Sequence, residues 1–126
     1  MQVPADDEGS GFAYSIGLTK TYGQPELICF GLADDVMCSM INELRDRMAQ
    51  GETFTDGQRV AGLIERYDCE LKKVQFSRYL EFFGYALWFY GEQPFDALQI
   101  AWPDRERRFP WDAGYSAPAE QQPSTW

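Results

Sequence analysis

From Phe12 to Leu32 the chain reads FAYSIGLTKTYGQPELICFGL, two apolar stretches separated by a polar turn that contains Gly23 and Pro25. Side chains alternate between the faces of a β-strand, so Phe12, Tyr14, Ile16 and Leu18 share one side while Ala13, Ser15 and Gly17 share the other. Leu27 to Leu32 is instead continuously apolar, the pattern of a strand covered on both faces. A chain with these two segments builds a sheet that needs cover. The small-residue side of the first strand predicts a place where an aromatic helix lies close and shares a shallow hollow with the sheet.

Two helices are expected to supply that cover. Asp34 is placed to cap the first and Asp35 to favour its positive end, after which Met37, Met40, Ile41, Leu44 and Met48 recur at helical spacing until Gly51. The second follows Ser77 as RYLEFFGYALWFYG and ends at Gly91, with Tyr79, Leu80, Phe82, Phe83, Tyr85, Leu87, Trp88, Phe89 and Tyr90 spread around its circumference. A helix apolar all round is buried on several sides, or it lines a pocket or an interface. Val60 to Glu65 reads as one helical turn, Cys69 to Val74 as a strand, and Ala97 to Trp102 as another strand. The predicted class is α+β: one domain with a mixed or antiparallel sheet packed by two main helices. Residues 1–11 read as a flexible acidic lead-in, 12–112 as the domain and 113–126 as a frayed tail.

Composition narrows the function classes. At 126 residues, 44% of them hydrophobic and 16% aromatic, the chain can bury one core and has no room for two. A net charge of -9 repels nucleic-acid backbones and anionic lipid and favours a basic protein partner. No run is long enough to span a membrane and the N-terminus has no signal-peptide pattern, so the expected compartment is the cytoplasm. With no histidine, His-dependent triads and His-containing zinc sites are excluded. Cys29, Cys38 and Cys69 lack the short paired spacing of a disulfide framework or metal knuckle and read as reduced core thiols; no metal site is expected.

Chemistry is concentrated, if anywhere, in WPDRERRFPWD. Arg105, Arg107 and Arg108 form a basic island flanked by Asp104, Glu106 and Asp112 and bracketed by Trp102, Phe109 and Trp111. One reading is a clamp, with arginine forks for a phosphate or carboxylate and aromatic planes for a flat ring. The other is a hairpin tip whose charges pair locally and whose tryptophans fill core corners. Tyr14, Tyr79, Tyr85 and Tyr90 are candidate hydrogen-bond donors in a crevice, and Glu26 and Glu81 lie beside apolar runs where burial would raise a carboxyl pKa. No catalytic set and no Gly-rich phosphate loop emerges.

The phrases FAYSIGL, GQPELICFGL, GYALWFYG and WPDRERRFPWD, in that order, resemble the bacterial family called domain of unknown function 4262. The likeness runs from about Val3 to Asp112, with departures: Gln24 stands where members often carry histidine, and Arg107 where they often carry a turn glycine. Members also tend to begin with an additional helix and strand, which implies a sheet edge that is bare or covered by a partner and a route to homo-oligomers. The opening phrases are also faintly similar to flavin-reductase split barrels, a likeness implying a flavin-sized crevice between Tyr14–Thr19 and the Trp102 region.

Two functions follow as expectations. The first is a non-catalytic binding or inhibitory protein of the immunity or antitoxin kind, with Tyr14, Tyr85, Trp88, Trp102, Arg105, Arg107, Arg108 and Trp111 as binding residues and Asp6, Asp7 and Glu8 as an acidic surface for a basic partner. The second is a redox or ligand-binding domain for a flavin or another flat aromatic compound.

Overall fold

The computed structural model describes residues 2–3, 11–116 and 121–126. The elements run β1 (Gln2–Val3), β2 (Phe12–Tyr14), α1 (Leu18–Tyr22), β3 (Glu26–Phe30), α2 (Asp34–Ala49), β4 (Arg59–Ile64), β5 (Tyr67–Lys73), a 3-10 turn (Phe76–Arg78), α3 (Tyr79–Phe82), α4 (Gly84–Tyr90) and β6 (Ala97–Ala101). Six strands form one sheet in the order β1-β2-β3-β6-β5-β4. Two antiparallel ribbons, β1-β2-β3 and β6-β5-β4, join through the parallel pair β3 and β6, so the sheet is mixed. It stays open rather than closing as a split barrel would, because among the described residues β1 and β4, at the two ends of the order, do not pair with each other.

Both central strands are buried at every residue, which is why helices lie on both faces. One face carries Ala13, Leu27, Cys29, Leu71, Leu98 and Ile100 and packs against α2 through Met37, Met40, Ile41, Leu44 and Met48. These are the five positions picked out by helical spacing, and their long unbranched side chains fill the irregular gaps of a core. The other face carries Tyr14, Ile28, Phe30 and Ala97 and packs against Tyr79, Phe83, Ala86 and Tyr90 of α3 and α4. Their spacing of four, three and four keeps one stripe facing inward across both helices.

The sides of the first strand are thus used the other way round from expectation. Its bulky residues Phe12 and Tyr14 meet the aromatic helices, with Phe12 edge-on to Phe82 at 5.4 Å and Tyr14 to Phe83 at 5.2 Å. Ala13 turns toward α2. A hollow of about 350 Å³ does lie on that side, lined by Ala13, Ser15, Leu18, Asn42 and Arg45, but its second wall is α2. The strand also stops at Tyr14, earlier than its alternation suggests, because residues 17–19 turn into α1 and leave Ile16 37% exposed.

Val60 to Ile64 is a strand and not a helical turn. Val60, Leu63 and Ile64 mimic helical spacing because the ladder to β5 shifts register between Val60 and Ile64, around Gly62 at φ 85. The expected aromatic helix breaks at Phe83 (φ -110, ψ 36), and Ser77 forms no cap.

Parts of both termini join the fold, while residues 4–10 of the expected lead-in and 117–120 of the expected tail lie outside the described residues. Gln2–Val3 pairs with β2, so part of the lead-in belongs to the sheet. Residues 121–126, expected to fray, lie docked, with Gln122 and Thr125 buried. The carbonyl of Gln121 fills the space that a Cβ on Gly31 would need, and Gly31 has φ 79. A Gly31→Ala variant should lose about 2 kcal/mol through backbone strain and a displaced segment; a melting temperature equal to wild type would contradict the packing.

Candidate functional site

Glu26, fully buried at the start of β3, accepts five hydrogen bonds. Ser15 Oγ donates to its Oε1 at 2.7 Å, and the backbone N–H groups of Gly17, Leu18 and Thr19 donate at 3.0, 3.2 and 3.2 Å. The Tyr90 hydroxyl also donates to Glu26. Those three N–H groups are the unsatisfied donors at the start of α1, whose cap residue Gly17 (φ 109) has no side chain to serve them, so the cap comes from β3. Burying a lone carboxylate is costly, and five donors offset the cost. Burial first, and then the bond to Glu26, push the Tyr90 hydroxyl above its ordinary pKa, so it remains a proton donor to the carboxylate.

Tyrosines of both helices fix the aromatic layer in the same manner. Tyr90 accepts from the Lys20 N–H at 3.2 Å and thereby ties α4 to α1. The Tyr14 hydroxyl accepts from the Tyr85 N–H at 3.2 Å, serving a donor freed where the helix breaks before α4. Tyr79 donates to the Phe95 carbonyl at 3.1 Å, and burial followed by the charge of Asp96 raises its pKa to about 12. Glu26, Tyr14, Tyr79 and Tyr90 are therefore occupied in holding layers together, whereas Tyr85 contributes its backbone N–H and keeps its ring exposed.

With Tyr79, Phe83, Ala86 and Tyr90 turned inward, the opposite stripe faces out. Leu80 is 89% exposed, Trp88 78%, Phe76 77% and Tyr85 60%, with Phe89 at 41%. These large apolar side chains form an exposed apolar stripe along successive turns. The charges beside them are balanced: Arg78 pairs with Glu81 at 2.9 Å, and the Lys20 ammonium lies 5.5 Å from the Phe89 ring. Tyr85 and Trp88 were legible as candidates, whereas Phe76 and Leu80 were missed because an all-round apolar helix gives no sign of which side its neighbours take.

The other predicted site residues are not brought together. Trp102 is buried on the α2 side of the sheet, its indole N–H donating to the Phe30 carbonyl at 2.7 Å, while Tyr14 lies on the opposite face, so the two do not form one crevice. Arg108 turns back to Asp104 at 3.3 Å. Arg107 takes φ 64 in place of a turn glycine and lays its guanidinium 5.4 Å from the Tyr67 ring. Arg105 is exposed and its carbonyl accepts from Tyr67 OH at 3.1 Å. The Arg108 guanidinium thus pairs locally and that of Arg107 lies against Tyr67. Trp111 stacks on Phe109 at 4.9 Å with Lys72 4.6 Å from its ring. Asp6, Asp7 and Glu8 lie outside the described residues. Gln24, in the histidine position, bridges a loop, donating to Glu52 O at 3.1 Å and accepting from Phe54 N–H at 3.3 Å.

Cys29 and Cys69 are fully buried. Burial pushes the Cys69 thiol up to about 12, aided by Asp68, far from a reactive thiolate. Among the described residues no cluster of ligating side chains suits a metal ion, and no helix is long and apolar enough to cross a membrane.

Asp104 organises the hairpin tip. Its Oδ1 accepts from the Glu106 and Arg108 N–H groups, both at 2.9 Å, and its Oδ2 from the N–H and hydroxyl of Ser116 at 2.9 and 3.1 Å. Desolvation alone would raise its pKa, but those donors outweigh it and hold the carboxyl below the ordinary 3.8. A depressed folded value stabilises the fold above the unfolded value and is lost as pH falls below it. An Asp104→Asn variant should be less stable than wild type at neutral pH, with the gap closing as pH drops below 3.8 in acid unfolding curves; a gap constant with pH would refute the assignment.

Comparison with known proteins returned one family. No curated protein and no solved structure compared with the chain matched it. The match to the family described as domain of unknown function (DUF4262) spans residues 1–116, nearly the whole chain, so the protein belongs to that family.

Proposed function

We propose that this protein is a non-catalytic binding protein of the inhibitory kind, as immunity proteins and antitoxins are, which holds a basic partner protein against the outer face of α3 and α4. One observation carries the reading: Phe76, Leu80, Tyr85 and Trp88 stand at 60 to 89% exposure on a helix pair whose inner side is already satisfied. Tryptophan and tyrosine are the residues that most often dominate binding energy when a partner desolvates them. The net charge of -9 supports a basic partner, and the cytoplasm as the meeting place, through faster encounter rather than tighter grip. Glu26 further supports a binding role over a catalytic one, since its oxygens are committed to five internal donors.

Co-purification from the native host should recover a basic protein whose association slows as salt is raised. Replacing Trp88 and Leu80 together by Ala should weaken capture at least tenfold, about 1.4 kcal/mol, and leave the melting curve in place because both side chains are exposed. Undiminished capture would overturn the reading. A flavin absorbance in the purified protein would replace it with the small-ligand alternative.

A further inference from the structure

Among the described residues, the segment 121–126 is held by residues of the family-matched region 1–116. The groove holds the segment through both its main chain and its side chains. Gln99 donates to the Pro123 carbonyl at 2.9 Å, Arg78 to the Ser124 carbonyl at 2.9 Å, and the Gln75 N–H to the Thr125 carbonyl at 2.6 Å. Gly31 leaves room for the chain to cross, and its own carbonyl accepts from the Gln121 amide at 3.1 Å.

Besides Gln121, the side chains of Gln122, Thr125 and Trp126 are bound. The Gln122 amide accepts from the Trp102 N–H at 2.7 Å and donates to the Trp102 carbonyl at 2.9 Å, as a neighbouring strand would. Thr125 Oγ donates to Gln99 Oε1 at 2.5 Å. Trp126 closes the row, edge-on to Trp111 at 5.3 Å. Gln99 is fully buried on a central strand, and within the domain its amide would have no reason to be polar; the partners drawn for it come from the segment. Ser124, between the read positions, is exposed.

We infer that this groove is a peptide-binding site, filled in cis by residues 121–126, and that it accepts in trans an extended segment of another protein carrying glutamine, threonine three residues on and an aromatic residue immediately after. This goes beyond the outer face of α3 and α4 and stands without it, since the groove uses different residues apart from the adjoining Arg78. Main-chain recognition with pockets for alternate side chains is how sheet-edge binders take extended peptides. A tethered segment competes at millimolar effective concentration, so a free peptide binds measurably only when the tether's grip is weakened.

The test uses the full chain and a fluorescein-labelled peptide of the sequence QQPSTW. A Gln122→Ala, Thr125→Ala double variant should bind it saturably, at least tenfold tighter than wild type does, and should not bind the same peptide with its own Gln and Thr replaced by Ala. A folded variant that binds neither peptide, or both alike, overturns the proposal, as does a concentration-dependent dimer that takes up no peptide. If circular dichroism finds the double variant unfolded, unlabelled peptide is added to wild type at millimolar concentration while the Trp126 indole resonance is followed by NMR. A shift toward its free position supports the site; an unmoved resonance at saturation overturns it.

Discussion

The arrangement of layers depends on one buried charge. Glu26 starts β3, and its oxygens gather β2 through Ser15, α1 through residues 17–19 and α4 through Tyr90. An isolated carboxylate at this depth would be strongly destabilising, so the surrounding chain takes the course that surrounds it with donors. That requirement ends β2 at Tyr14, sets Gly17 in a left-handed conformation and turns α1 back over the end of the sheet. It also fixes the inward edge of α4, and with it the direction in which Tyr85 and Trp88 point.

Around this knot the two faces of the sheet do different work. The α2 face is filled by methionines and aliphatic side chains, a compact layer with an ordinary solvated exterior. The opposite face is shared between the aromatic helices and the docked segment 121–126, which meet where Arg78 bonds both Glu81 and the Ser124 carbonyl. This side carries an exposed apolar stripe on the helices and, next to it, the docked segment 121–126.

Much of the fold was legible in residue spacing. The α2 core positions, the doubly covered β3, the strands at β5 and β6 and the α+β class all follow from periodicity that the structure uses unchanged. What failed did so where tertiary contacts overrode local pattern. The register shift around Gly62 gave a strand helical spacing, and the Glu26 contacts cut short an alternation that ran on to Leu18 in the sequence. Gln122 and Thr125 sit in a proline- and serine-containing stretch that by composition belongs to a tail; only the buried Gln99 amide, distant in sequence, gives them a place. Of the site, Tyr85 and Trp88 were visible as aromatic residues, but which side of the helix they occupied depended on partners 70 or so residues away, as the Tyr85–Tyr14 bond illustrates. In the arginine island, Arg108 turns back to Asp104, a local pairing that the alternating charges of the segment already offered.

The central claim is that a single carboxylate couples sheet and helices, and a double-mutant cycle between Glu26→Gln and Tyr90→Phe measures that coupling directly. If the Tyr90 hydroxyl and the Glu26 charge hold the layers together, denaturant unfolding should return an interaction energy of about 1.5–3 kcal/mol. Additive effects of the two substitutions would mean that the buried charge does not join α4 to the sheet, and the proposed origin of the exposed aromatic face would fail with it.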